Sequence, residues 1–376
     1  MKLTLETLFN DPNVVKAIID RSIATQQDEI FWKRYLDFEE TKSRVFKTYS
    51  GTVTGVTAGS IIDRNSEKPL RQRKSLKTGY SEVAYLGDRY QMDNDRLDML
   101  KSLIDKFNSA RTSEQSTAMN SIIDYIIDDI RQIRLAPHKR MDLIVGDLRS
   151  DGNASVKMAD NPQGIELLDM KLPVTRLTPT TSDDKTNFIS YLKTQIEALR
   201  PTIGRFSVME MTRKTFTKYI VGAAEFQNTY KMILSGSQMA LAGGLITSDM
   251  ANQVFSGIGL PAIRIIDDMI AMPDGTSKSV FKDDRIALLP QDKLGKMMWH
   301  EPYEISDPVP NKTYTRLEGG MWTSNWRTEE GRFMEYGAEW IPNFTAPDKI
   351  AIVDLDTVST MSLDSGVKVT ASKSSK

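Results

Sequence analysis

Seven apolar residues between positions 119 and 133 constrain this chain more than any other feature. Met119, Ile122, Ile123, Ile126, Ile127, Ile130 and Ile133 follow one another at steps of 3, 1, 3, 1, 3 and 3. On a helix of 3.6 residues per turn those steps paint a single stripe, with Asp124, Asp128 and Arg131 on the opposite face. Isoleucine is not among the best intrinsic helix formers, so a helix over 114–135 must draw its stability from packing that stripe, and a sheet is the expected partner. Pro137 is expected to kink or end the helix, with 138–149 continuing as one to three further turns.

Residues 43–92 have the opposite character. The run VFKTYSGTVTGVTAG is rich in Thr, Val and Gly, EVAYLGDRYQM reads as a strand, and the polar segment DRNSEKPLRQRKSLKTG lies between them. Positions 42–90 hold ten basic side chains (Lys42, Arg44, Lys47, Arg64, Lys68, Arg71, Arg73, Lys74, Lys77, Arg89) against four acidic ones (Asp63, Glu67, Glu82, Asp88), a net of +6. So few large apolar side chains cannot bury a core, which predicts a long two-stranded excursion that needs another surface to lie on. One reading is a loop that docks on a neighbouring subunit against acidic partners. Others are a solvated basic hairpin or linker and, more weakly, a nucleic-acid contact, since no interleaved aromatic platform accompanies the charge.

The 376 residues are enough for two to three structural units. Residues 3–40 read as two short helices forming an arm, and Asp93 with Asn94 caps a helix over NDRLDMLKSLIDKFN. Strands are expected between 151 and 180, where Asp151-Gly152 and Asn161-Pro162 mark turns, then an amphipathic helix over 185–200. Helices opened by Thr212 and by Ser248-Asp249, one over 223–234, and strands at PAIRIIDDMIAM and DRIALLP give 185–310 the rhythm of a compact α/β unit. The aromatic-rich stretch 331–355 reads as long strands broken at Pro342 and Pro347, and the Ser- and Lys-rich tail beyond about 363 is expected to fray.

Forty-nine Lys and Arg against 50 Asp and Glu leave a formal charge of −1, which argues against a protein that coats nucleic acid by bulk charge. The absence of Cys excludes disulfides, thiolate nucleophiles, thiolate zinc sites and iron–sulfur clusters. No apolar run approaches the roughly 18 residues of a membrane span, and Glu6 arrives before a signal-peptide core can form, so the expectation is a cytosolic protein with no leader. Phosphate-loop patterns and a nucleophile elbow are absent, and a catalytic triad has only His138 and His300 to draw on. Both histidines read as packing or hydrogen-bonded residues. The vicinal acids Asp128-Asp129, Asp183-Asp184, Asp267-Asp268 and Asp283-Asp284 are the raw material of a metal-dependent hydrolase, but such pairs are also ordinary at turns and polar faces. The set Trp322, Trp326, Phe333, Tyr336, Trp340 and Phe344 reads as core or interface rather than a stacking platform.

The succession of arm, long basic hairpin, long amphipathic helix, strand pair, α/β unit and returning strands resembles the major capsid proteins of tailed bacteriophages, the Hong Kong 97-like fold, and within them the lambda-type major capsid protein E family. The residues that carry it are IIDYIIDDIRQIR running into LAPHKRMDLIVGDLRSDGNASVKM, where that family has a spine helix ending at a glycine turn and a strand. FKDDRIALLPQDKLGKMMWHEPYE resembles its turn, strand-to-proline and glycine passage, with Asp283-Asp284 in place of Asp-Gly, and AEWIPNFTAPDKIAIVDL its closing strands.

The resemblance implies an α+β fold: an N-terminal arm over 1–42, an extended E-loop over 43–92, a peripheral domain with the spine helix over 93–184 joined by returning strands at 311–362, an axial domain over 185–310 and a flexible tail at 363–376. It implies a non-enzymatic subunit that self-assembles into hexamers and pentamers of an icosahedral or prolate head around double-stranded DNA. Lys68, Arg71, Arg73, Lys74 and Lys77 would lie at subunit interfaces, without a crosslinking motif. It implies no cofactor, metal or membrane. Expected partners are further copies of the chain together with scaffolding, portal and decoration proteins, and the expected location is the virion, assembled in the host cytoplasm. An encapsulin-like compartment shell and the metal-dependent hydrolase are the alternatives.

Overall fold

The computed structural model describes residues 3–10, 30–50, 77–156, 168–234, 246–290 and 292–355. The chain divides into two units, one of Met1–Val174, Asp268–Phe281 and Gln291–Ile350, the other of Thr175–Asp267, Lys282–Pro290 and Ala351–Lys376.

In the first unit the stripe helix is Gln115–Asp151, 37 residues and about 55 Å long at 1.5 Å per residue. Ile122, Ile123, Ile126, Ile130 and Ile133 are all buried, against the helix Asn94–Ser109 and the sheet. Asn94–Ser109 begins where Asp93 accepts the backbone N–H of Arg96 at 2.9 Å, and turns Leu97, Leu100 and Ile104 inward. Of the two outcomes expected at Pro137, a kink or an end, the helix does not end there but runs on through His138–Arg149 to Asp151. Residues 141–150 are buried on every side, so the missing N–H at Pro137 is outweighed by packing on both flanking turns. Close approach is why position 146 is glycine: a Cβ there would stand 1.8 Å from the carbonyl oxygen of Val280. Gly152 closes the helix in the left-handed region at φ 71°.

The sheet of this unit is organised on one strand, Gly331–Phe344. Ala84–Met92 runs antiparallel along one edge, from Trp340 opposite Ala84 to Arg332 opposite Met92. The other edge is shared end to end by Trp322–Thr328, which covers positions 331–337, and Gly295–His300, which covers 339–344. Leu36–Glu40 pairs in parallel with Gly295–His300, and Thr313–Arg316 antiparallel with Trp322–Thr328. The expected break at Pro342 does not occur. Pairing with Ala84–Met92 ends at Trp340, and proline is tolerated where a strand has lost a neighbour.

The second unit holds a five-stranded sheet in the order Thr175–Leu177, Ala351–Asp354, Arg285–Leu289, Val208–Met211, Ala262–Ile265, parallel at its two outer pairings and antiparallel inside. Every residue of Arg285–Leu289 is buried, as befits a central strand covered on both faces. Helices Phe188–Ile203 and Ser248–Ile258 contribute Leu192, Val254 and Phe255 to a core shared with Met209, Ile286 and Val353. Thr212 caps the next turn by accepting the N–H of Thr215 at 3.3 Å, and the chain then widens into a π-helix over Phe216–Val221. Asp284 takes the left-handed conformation at φ 54°. Its N–H donates to the Thr215 hydroxyl at 2.9 Å and its carbonyl accepts from Leu355 at 3.0 Å.

Candidate subunit-interface site

The basic excursion has a well-defined root. Val45–Ser50 pairs antiparallel with Lys77–Glu82, from Val45 opposite Glu82 to Ser50 opposite Lys77, and the second strand runs through Val83 into the sheet-edge strand Ala84–Met92. Alternation on Gly331–Phe344 puts Glu339 and Ile341 on one face. Ile341 packs with Val83 and Met298, and with Phe46 and Met170 beside them. Glu339, 1% exposed, accepts two hydrogen bonds from the Arg44 guanidinium, the Nε contact at 3.1 Å, and meets His300 Nδ1 at 2.8 Å. The Arg44 carbonyl accepts the N–H of Val83 at 2.9 Å, closing the root.

A second charged knot holds the edge strand farther along. Arg89 donates to Glu335 Oε2 through Nε at 3.1 Å and Nη2 at 3.0 Å, Ser324 donates at 2.9 Å, and Lys312 Nζ also reaches this carboxylate. Burial alone would raise the Glu335 pKa, but these hydrogen bonds outweigh it and hold the carboxyl below the usual range. Lys312 and Arg89 also face the Trp326 ring at 3.9 and 5.0 Å. One register step along, the Tyr336 hydroxyl bonds to Asp88, its cross-strand partner.

Of the five cations expected at an interface, Lys77 opens the returning strand opposite Ser50, while Lys68, Arg71, Arg73 and Lys74 lie outside the described residues. So do the expected helix around Val14 to Ile19 and the tail at 363–376.

The paired aspartates are spread over caps and ion pairs. Asp184 forms a capping box with Thr181, Asp129 pairs with Arg96 at 3.0 Å, and Asp267 with Arg213 at 2.7 Å. Asp283 accepts from Thr212 at 2.7 Å and Lys214 at 2.9 Å, and Asp284 meets Lys218 at 3.4 Å. Among the described residues no group of three or more His, Asp or Glu side chains is placed to hold a metal ion, and no helix is long and apolar enough to cross a membrane.

His138 is a buried structural residue. Its Nδ1 accepts the Trp32 indole N–H at 3.2 Å, and its ring lies 5.7 Å from Trp32 and 4.8 Å from Trp340. Burial, with Lys33, Arg134 and Lys139 nearby, lowers its pKa to about 3. Trp322, Tyr336, Trp340 and Phe344 are buried, and Trp326 stacks on Phe333 at 5.5 Å. Asp142, which no local pattern distinguishes, is a functional-looking residue that sequence reasoning missed. It is 1% exposed and accepts the Trp32 backbone N–H at 2.7 Å, and burial raises its pKa to about 7 against the smaller opposing pull of that N–H and of Lys139.

No protein-family model matches the chain, and no curated protein does. Solved structures do. The crystal structure of a prophage protein of E. coli CFT073, assigned as a capsid protein, superposes with a TM-score of 0.54 at 13% identity, covering 92% of this chain and 98% of that one. A phage-related protein of Bordetella bronchiseptica RB50 matches with a TM-score of 0.47 at 9% identity, over 90% and 96% of the two chains. The chain therefore has an α+β fold of the Hong Kong 97-like type, the fold of tailed-phage capsid proteins.

Proposed function

We propose that this chain is the major capsid protein of a tailed phage, a structural subunit that assembles into rings of six and five and closes into a head around double-stranded DNA. The observation that carries the reading is the capsid-type fold over 92% of the chain. It is supported by the root of the basic hairpin, anchored at Arg44 and Val83, and by the scarcity of large apolar residues in the sequence of 43–92. On this reading 1–42 is the N-terminal arm, 43–92 the E-loop, the rest of the first unit the peripheral domain, and the second unit, drawn mostly from 185–310, the axial domain. Lys68, Arg71, Arg73, Lys74 and Lys77 dock on acidic side chains of adjacent subunits, through heterologous contacts that close into rings. Each contact is modest, and the shell is stable because many are summed over many copies.

Sedimentation and electron microscopy of the purified protein at moderate salt test this. Closed shells, tubes or rings of five and six, unaffected by a chelator, are the expected result, and denatured shells should give a single 42.4 kDa species. A monomer or dimer that stays small at high concentration overturns the reading.

A further inference from the structure

Arg327 and Arg332 stand directly opposite each other where Trp322–Thr328 pairs antiparallel with Gly331–Phe344. Opposed positions put both side chains on one face with Cβ atoms about 5 Å apart, and like charges there repel. Arg327 is exposed, whereas Arg332 is only 6% exposed. Other buried charges of the chain are met by opposite ones: Arg285 by Asp354 at 2.8 Å, Glu210 by Arg264 at 3.1 Å and Glu335 by Arg89 at 3.0 Å. Among the described residues neither Arg327 nor Arg332 forms an ion pair with a carboxylate. Glu329 and Glu330, in the turn between them, are exposed. Burial and the charge of Arg327 hold the Arg332 guanidinium below its ordinary pKa, against the weaker through-space pull of Glu6 on the helix Leu5–Asn10. Arg332 is nevertheless fixed in one orientation. It donates from Nη1 to Asn325 Oδ1 at 2.7 Å, and Asn325 Nδ2 donates in turn to the Phe9 carbonyl at 2.9 Å. The Phe9 ring, 4.5 Å away, covers one face of the guanidinium. A guanidinium carries five N–H donors in its plane, so the rest of the fork is left for an acceptor that the described residues do not supply.

We propose that Arg327 and Arg332 form a site for a phosphate-type oxyanion, carried either by inorganic phosphate or by a phosphodiester of nucleic acid. Two long side chains rising from opposed positions can converge on one tetrahedral anion, which accepts paired N–H bonds from each guanidinium. A carboxylate or chloride satisfies one fork and one charge, so the pair favours the multiply charged ion. Bound there, the anion cancels the repulsion across the strand pair and supplies the counter-charge that Arg332 lacks. The site stands whether or not the chain builds a shell.

Thermal melts of the full chain test this, with phosphate compared against chloride at matched ionic strength so that general screening cancels. Native protein should melt higher in phosphate, and Arg327→Gln, at an exposed position, should lose that gain. In chloride the same variant should melt above native protein, because the like-charge pair is gone, so the order of the two reverses as phosphate is added. Arginines with a purely structural role give no such reversal. In calorimetric titrations the phosphate affinity should fall about tenfold or more in Arg327→Gln and also in Arg332→Lys, which keeps the charge but not the fork. A labelled DNA duplex, titrated by fluorescence anisotropy, separates the two sources. Duplex binding that phosphate competes away and Arg327→Gln weakens assigns the site to nucleic acid, and phosphate binding without it assigns the site to the free anion. Melts in phosphate that match those in chloride, or a phosphate gain that persists unchanged in Arg327→Gln, overturn the site.

Discussion

Arg44 and Glu339, 295 positions apart in the chain, form a two-pronged ion pair in which the carboxylate is fully buried while half of the arginine side chain faces solvent. The asymmetry decides which substitution is worse. Arg44→Ala leaves a buried carboxylate with His300 as its remaining side-chain partner among the described residues, and is expected to destabilise the fold by about 1–3 kcal/mol. Glu339→Gln leaves Arg44 free to hydrate and should be the milder change. Thermal melts give the order, and hydrogen exchange at 45–50 and 77–83 should quicken in Arg44→Ala before the rest of the first unit responds.

The buried pair His138 and Asp142 should set the pH profile of that unit. His138 has its pKa lowered from 6.5 to about 3, so the native state binds fewer protons than the unfolded chain in that interval, and stability rises with pH from 3 to 6.5. Asp142 has its pKa raised from 3.8 to about 7, so the native state binds more protons and stability falls as pH rises from 4 to 7. Between about 4 and 6.5 the two slopes oppose each other. Asp142→Asn removes one of them, and its folding constant should then drop by up to tenfold per unit as pH falls below 6.5. A melting-temperature series against pH checks this: parallel curves for native protein and variant would refute it.

Gly146→Ala sets two effects against each other. Alanine favours a helix interior by about 1 kcal/mol over glycine, but a Cβ would stand 1.8 Å from the Val280 carbonyl oxygen, a backbone atom that cannot rotate aside. The steric term should win, and net destabilisation of about 1–3 kcal/mol is expected, read as a lower denaturation midpoint. An unchanged or raised midpoint would mean that the hairpin Met269–Ala271 with Ser277–Ser279 moves away readily.

Glu335, held below the usual carboxyl range by Lys312, Ser324 and Arg89, contributes stability that is present above its unfolded pKa and is lost as pH falls through the lowered native value. Glu335→Gln should therefore lose stability at neutral pH and show less additional loss on acidification than the native chain. Urea titrations at pH 7 and pH 3 provide the comparison.

Much of this architecture is legible in the sequence. The isoleucine steps between 119 and 133 determine a helix and its buried face, because side-chain period follows backbone geometry. Asp93 announces a helix start because a carboxylate there satisfies an orphan N–H. The charge excess and scarcity of large apolar residues over 42–90 mark a segment that cannot fold on its own core. Local chemistry also explains why most of the paired aspartates end as caps and ion pairs.

What the tertiary structure alone decided is which distant residues meet. Periodicity reports that a face is buried but not what covers it, so nothing local links Trp32 to His138 and Asp142, or Arg44 to Glu339. Glu335 and Glu339 lie buried in the mostly apolar strand Gly331–Phe344, and their partners from other segments make those charges tolerable inside a sheet. Pro137 and Pro342 read locally as breaks, yet the elements run through both, because long-range burial at the first outweighs one lost hydrogen bond and pairing with the edge strand has already ended before the second.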